Sequence, residues 1–212
     1  MQVTETNLKF SGSLTKRKST KRVIIHHSAS PDVPASTIHG WHLGQKWSGI
    51  GYHFVIRAGG AIERGRPEGK IGAHSGSAGN VDSIGIVLTG NFQYERPTAA
   101  QIESLVWLIT QYLEPRYGNL DVIGHKDVMA TACPGKLFPW EELRRKLLEG
   151  VVDVALDKWM IDGGRDALAY LEKKGLVLNA ADWGKEEKLA APTPQYLFWM
   201  LMQRMAERME GK

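Results

Sequence analysis

Short apolar runs that end at a polar residue constrain the fold of this chain more than any other feature. Residues 23–25 are β-branched and lead directly into His26, and residues 83–89 (SIGIVLT) form a second run of this kind. Residues 121–124 form a third short run, which ends at His125. Such runs are too short for a helix, and they are typical of strands that are buried in a sheet. We therefore predict two buried strands and, at residues 121–124, a third short strand.

Segments with helical spacing alternate with these predicted strands. Residues 98–117 carry apolar side chains at the three- and four-residue intervals of a helix, and Thr98 is a good N-cap for it. Shorter helices are predicted at residues 36–46 and 139–148, and the two strands of a hairpin are predicted at residues 52–56 and 61–63. This alternation predicts an α/β fold with a central mixed β-sheet that is flanked by helices.

The charge balance of the chain is mildly basic, with a formal net charge of +4 and a sequence pI of about 9.1. Such a balance favours polyanionic partners, and nucleic acid and anionic cell-wall polymer both qualify. Residues 1–22 are interpreted as a polar lead-in that is flexible or lies on the surface, and they end in a basic cluster formed by Lys16, Arg17, Lys18, Lys21 and Arg22. A solvated charged face explains this cluster better than a nucleic-acid site does.

The first ten residues, MQVTETNLKF, lack the basic start and continuous apolar core of a secretion signal. No apolar run approaches the roughly 20 residues that a membrane-spanning helix needs. We therefore expect a protein that is made in the cytoplasm without a signal peptide and has no membrane span.

The sequence pattern changes beyond about residue 150, where helices are predicted over 153–174 and 194–210. This change divides the chain into a basic polar lead-in (1–22), an α/β domain (23–150) and a small helical C-terminal module (151–212). The aromatic and methionine side chains of the module are most simply core residues. The alternatives are a binding surface, or a homodimer that pairs two chains through Leu197, Leu201 and Met205.

Three side chains form a candidate metal site. His26 and His125 each follow a predicted strand, and Cys133 lies in a turn of small residues a little further along. Two imidazoles and a thiolate are a donor set for an open zinc site, which keeps one tetrahedral position for water. Cys133 is the single cysteine, so no disulfide forms within the chain. A thiol nucleophile paired with His125 is the alternative.

Several motifs occur in a characteristic order along the α/β region. They are HHSAS, GIGYHFVI, GAHSG, SIGIVLTGNF and GHKDVMATACPG, which begin at residues 26, 49, 72, 83 and 124. In order and spacing the chain resembles the type 2 N-acetylmuramoyl-L-alanine amidase family, which includes bacteriophage lysozyme-type amidases and animal peptidoglycan recognition proteins. The resemblance covers roughly residues 21–147 and does not extend to the C-terminal module.

This resemblance implies roles for individual residues. The metal ligands of the family fall on the same three donors, and the implied cofactor is Zn²⁺, bound at the strand ends. The catalytic tyrosine of the family falls on Tyr52, in the same G-Y-H-F context. Thr131 matches a lysine or threonine that contacts the developing oxyanion in relatives. His27 is left out, because alternation along a strand turns it to the opposite face.

Two further positions match polar residues that border the substrate groove in relatives. They are His74 and Asn80, for which loop hydrogen bonds and turn formation are the structural alternatives. One position departs from the pattern of the family. Other amidases place a glutamate base in the SIGI strand, where this sequence has Val87.

The resemblance implies zinc-dependent hydrolysis of the amide bond between N-acetylmuramic acid and L-alanine of peptidoglycan. Together with the small appended module and the missing secretion signal, it implies a phage or prophage endolysin that acts on the cell wall after release, with the module binding the wall or pairing two chains. A cytoplasmic recycling amidase is an alternative that would need no wall-binding module. The first alternative is a non-catalytic peptidoglycan-binding module, although such relatives usually lose the cysteine that is kept here. The second is an amidase that also regulates a polymerase, which no residue singles out.

Overall fold

A single mixed sheet forms the centre of the computed structural model, which describes residues 1–152, 158–175 and 181. Its strands are β1 (Val3–Thr4), β2 (Arg22–His27), β3 (Phe54–Ile56), β4 (Ile62–Arg64), β5 (Ser83–Leu88) and β6 (Asp121–Gly124). They lie in the order β1-β4-β3-β5-β2-β6. Only β3 and β4 pair antiparallel, and the other neighbours are parallel. The predicted α/β fold with a mixed sheet is confirmed.

Helices follow the strands along the chain. They are α1 (Ala35–Gly44), α2 (Gly76–Asn80), α3 (Ala99–Trp107), α4 (Glu114–Tyr117), α5 (Trp140–Val152) and α6 (Lys158–Lys173). Thr98 and Gln101 form a reciprocal capping box at the start of α3, as expected from the N-cap signal. The helix that we predicted over 98–117 is not regular, since a π-helical segment, Leu108–Leu113, joins α3 to α4.

Alternation along the strands divides the buried side chains into two clusters. Val23 and Ile25 of β2 belong to a large cluster that also contains Ile102 and Leu105 of α3. The smaller cluster contains Val87 of β5 together with Ala35 and Ile38 of α1. His26 follows Ile25 and is paired in register with Val87, so its side chain lies on the α1 side of the sheet.

The N-terminal residues belong to the sheet domain. β1 pairs with β4, and Leu8 and Phe10 pack against the smaller cluster. Arg17 is buried, with 6% of its surface exposed, and its Nη1 donates to the carbonyl oxygens of Ser83 at 3.0 Å and Lys70 at 3.2 Å. The interpretation of the basic cluster as a solvated charged face is therefore wrong for Arg17, because this guanidinium satisfies carbonyl groups of the domain.

The chain separates into two compact units, Met1–Leu147 and Leu148–Lys212. Of the two helices predicted for the C-terminal module, the first corresponds to α6. The second, with the proposed pairing residues Leu197, Leu201 and Met205, lies outside the described residues. Within the part of the chain that the structure describes, no helix combines the length and apolarity needed to cross a membrane.

We expect Arg17→Ala to lower the free energy of unfolding by about 2 kcal/mol, because the buried carbonyl of Ser83 loses its charged donor. The matched control is Lys18→Ala, since Lys18 belongs to the same basic cluster but is exposed. Urea denaturation followed by circular dichroism measures both changes. Equal stability of the two variants would show that the contacts of Arg17 contribute nothing.

Candidate metal centre

Two parallel strands bring the predicted metal ligands together. β2 pairs with β6 so that Ile25 lies opposite Gly124, and His26 and His125 are the next residues along these two segments of the chain. The imidazole rings of the two histidines are 4.5 Å apart between centroids. Cys133 completes the group, and one donor atom from each of the three residues lies within 4.8 Å of the others.

The spacing of these donors fits a zinc ion. Zinc bonds of about 2.0 Å to nitrogen and about 2.3 Å to sulfur place the two donors of a tetrahedral site about 3.5 Å apart. The distance from Nδ1 of His26 to Sγ of Cys133 is 3.7 Å. With two imidazoles and one thiolate as ligands, the fourth tetrahedral position is left for water.

The loop that carries Cys133 is held to β2 and to the turn that directly follows β6. The backbone N–H of His27 donates to Sγ of Cys133 at 3.4 Å, and the N–H of Lys126 donates to its carbonyl at 2.9 Å. Burial raises the pKa of the Cys133 thiol to about 11. The thiol is therefore protonated at neutral pH, and a zinc ion that bound here would have to displace this proton.

Burial also determines the protonation of the histidines. It lowers the pKa of His26 and of His74 well below the ordinary value, and the neighbouring imidazoles lower it further. Burial lowers the pKa of His125 as well. All three rings are neutral at physiological pH, which is the form in which an imidazole binds a metal.

Tyr52 lies beside the cluster. The centroid of its ring is 5.0 Å from that of His26 and 5.7 Å from that of His42. Burial raises the pKa of Tyr52 above its ordinary value, and the Cys133 thiolate would raise it further. The phenol therefore keeps its proton, and it can donate a hydrogen bond to a group that binds next to His26.

The other predicted site residues make contacts within the protein. Thr131 is exposed, and its Oγ1 accepts a hydrogen bond from the N–H of Cys133 at 3.3 Å. Oδ1 of Asn80 accepts hydrogen bonds from the backbone N–H groups of His74 and Ser75, both at 2.9 Å. His74 is buried, with 8% of its surface exposed. The substrate-binding roles assigned to His74 and Asn80 stay predictions, and the contacts seen are loop hydrogen bonds.

Comparison with known proteins identifies the family. The sequence pattern of the N-acetylmuramoyl-L-alanine amidases matches residues 16–136. The chain belongs to this amidase family. Both the predicted family and the predicted class of enzyme are confirmed.

Relatives of this amidase include phage and animal proteins. The endolysin of Klebsiella phage KP32 is 35% identical over 128 residues, which are 57% of this chain and 83% of that protein. Peptidoglycan recognition protein 1 of Bos taurus is 32% identical over 148 residues, or 61% of this chain and 76% of that protein. Among solved structures, the amidase LysC from Clostridium intestinale is 38% identical with a TM-score of 0.66, covering 69% of this chain and 97% of that one.

Two further side chains, Met129 and His42, lie beside the predicted site residues. Sδ of Met129 lies 3.3 Å from Nε2 of His125. The separation of four residues is the one feature of the sequence that could have indicated this contact. The ring of His42 lies between Trp47 and Tyr52, and its Nδ1 accepts the N–H of Gly51 at 3.0 Å. Nδ1 of the neighbouring His39 accepts the N–H of Ile50 in the same way, at 3.1 Å.

We expect the Cys133 thiol of the metal-free amidase to react slowly with iodoacetamide. A pKa of about 11 instead of the ordinary 9.0 leaves roughly 100-fold less thiolate at pH 8. The same protein unfolded in urea is the control, because unfolding restores the ordinary pKa. Mass spectrometry of the alkylated protein gives both rates, and equal rates would contradict the buried position of the thiol.

Proposed function

We propose that this amidase uses one zinc ion to hydrolyse the amide bond between N-acetylmuramic acid and L-alanine of peptidoglycan. The observation that carries the proposal is the group formed by His26, His125 and Cys133, whose donor types and spacing suit zinc. A solved relative that is 38% identical is described as an endolysine N-acetylmuramoyl-L-alanine amidase. We therefore assign this chain the role of an endolysin that is made in the cytoplasm and degrades the wall after release.

Zinc, when bound, lowers the pKa of its water to about 7 and polarises the scissile carbonyl. The protein contributes neutral imidazoles at His26 and His125 and a thiolate at Cys133. Tyr52 keeps its proton next to His26, so its hydroxyl orients the attacking water or donates to the oxyanion that develops on the carbonyl. A preorganised donor of this kind contributes on the order of 3 kcal/mol to transition-state stabilisation.

The side chain of Val87 limits which residues of this site can accept a proton during hydrolysis. It is fully buried and paired in register with His26, at the position where other members of the family carry a glutamate base. An apolar side chain at this point accepts no proton. We therefore assign the polar contacts of the reacting groups to Tyr52 and, from the Cys133 loop, to Thr131.

A wall-binding protein without hydrolytic activity is the second candidate, because recognition proteins are among the relatives. The presence of Cys133 beside both histidines favours the enzyme. The C-terminal module, 151–212, keeps its predicted role in wall binding or in pairing two chains. No observation on the described residues favours a polymerase or nucleic acid as a partner.

We expect purified protein to carry about one zinc per chain and to release new alanine amino termini from purified cell walls. Chelation should abolish this release, and Cys133→Ser should lose both zinc and release, because a neutral hydroxyl is a far poorer zinc ligand than a thiolate. Zinc is measured by atomic emission, and the new termini by dinitrophenylation. New reducing sugar ends in place of amino termini would overturn the proposed bond, and wall binding without release would leave the recognition role.

Tyr52→Phe should retain zinc and lose roughly 100-fold in turnover, because it removes one hydroxyl donor and leaves the ring packed against His26. Turnover is measured on a soluble muropeptide, and zinc content is measured on the same sample. Tyr94→Phe is the control, since Tyr94 is 84% exposed. Turnover equal to that of the unmodified protein would reduce Tyr52 to a packing role.

A further inference from the structure

A chain of hydrogen-bonding groups runs from the metal centre into the protein interior. Nε2 of His26 lies 3.0 Å from Nδ1 of His74, on the side of the ring that faces away from Cys133. Nε2 of His74 lies 3.4 Å from Oγ of Ser83, and this hydroxyl lies 2.6 Å from the carbonyl of Gly79. Each of these contacts is buried, so protein groups are the partners that decide where the protons lie.

The carbonyl at the inner end of this chain orients every proton in it. A carbonyl oxygen only accepts, so the single proton of the Ser83 hydroxyl is donated to Gly79. Oγ of Ser83 is then left to accept from Nε2–H of His74, which makes Nδ1 of His74 an acceptor in the neutral ring. His26 must therefore donate its Nε2 proton to His74, and its Nδ1 carries the lone pair that faces Cys133.

The ring of His74 occupies a cavity shaped by two glycines. A Cβ atom added at Gly85 would lie 2.5 Å from Cδ2 of His74, and its three nearest atoms all belong to this ring. A Cβ added at Gly72 would lie 2.4 Å from the same carbon atom. Asn80 holds the backbone of His74 from the loop side. The ring is thus held from several sides, and its position does not depend on the hydrogen bond to His26.

We propose that His74 is a positioning residue of the metal centre, which accepts the Nε2 proton of His26 and so holds Nδ1 of His26 ready for the metal. The inference rests on the proposed zinc site. His74 touches neither metal nor substrate in this role, and it acts through His26 alone. Partners of this kind commonly change metal affinity by 10- to 100-fold, because they select the tautomer and the orientation of the ligand.

The tautomer of His26 can be measured directly in the metal-free protein by long-range ¹H–¹⁵N NMR correlation of the histidine rings. The expected result is a neutral ring that carries its proton on Nε2. A ring protonated on Nδ1 would overturn the inference. This measurement uses the unmodified full chain and involves neither zinc nor turnover.

Three variants test the effect of His74 on the metal. His74→Leu removes the acceptor and should weaken zinc binding 10- to 100-fold, whereas His74→Asn places an amide oxygen near the position of Nδ1 and should recover most of the affinity. Gly85→Ala keeps every polar group but displaces the ring, so it should also weaken binding. Gly69→Ala is the control, because a Cβ there meets no atom within 4 Å.

Zinc dissociation constants are measured by competition with a chromophoric chelator, and urea denaturation gives the stability of each variant. If the unmodified protein binds no zinc, the proposed function itself fails. If the unmodified protein binds zinc and the Leu and Ala variants at 74 and 85 bind it equally tightly, only the role of His74 is overturned. Should His74→Leu fail to fold, the other variants and the tautomer measurement still decide.

Discussion

Hydrogen-bonded pairing of β2 with β5 and β6 is the constraint on which the rest of the centre depends. The register puts His26 beside Val87, and it places His125, which follows β6, at the same carboxyl end of the parallel strands. The loop after His125 then returns Cys133 to the end of β2, where its sulfur meets the N–H of His27. A slip of β2 by one residue would turn His26 to the opposite face and dismantle the donor group.

Burial of polar rings behind the candidate metal centre is tolerated because each ring has partners. His53, fully buried, accepts the N–H of Gly85 through Nδ1 at 2.9 Å, so its Nε2 carries the proton in the neutral ring. That proton is donated to the carbonyl of Lys70 at 2.9 Å. A buried polar group without a partner costs about 1 to 3 kcal/mol, so this layer of histidines is stable only when its hydrogen bonds are complete. Arg17, in the N-terminal segment, adds a further buried hydrogen bond by donating to the carbonyl oxygen of Ser83.

The relatives carry two kinds of name, endolysin and recognition protein, on one fold. The sheet and its helices therefore do not distinguish hydrolysis from recognition, and the side chains at the strand ends must do so. In this chain the distinguishing features are the thiol of Cys133 within reach of two neutral imidazoles and the protonated phenol of Tyr52. Val87, at the position where the resemblance implies a glutamate base, is apolar and fully buried in this chain.

Much of the architecture could be predicted from local patterns. The apolar runs determine β2 and β5, alternation places His26 and His27 on opposite faces, and Thr98 marks the start of α3. These features depend on neighbours within a few residues, so the sequence carries them directly. The order of motifs also pointed to the donors that the structure brings together.

Other features depend on residues that are far apart along the chain. His26 and His74 are 48 positions apart, and Arg17 and Ser83 are 66 apart, so no local pattern predicts either contact. The apolar spacing over residues 98–117 likewise gave no indication of the π-helical segment Leu108–Leu113. The sequence by itself determined the strands β2 to β6, the faces of β2 and the candidate donors, whereas β1 lies in the segment that we interpreted as a lead-in. Only tertiary packing decided that Arg17 is buried and that His74 lies behind His26, because both depend on which distant backbone groups need a partner.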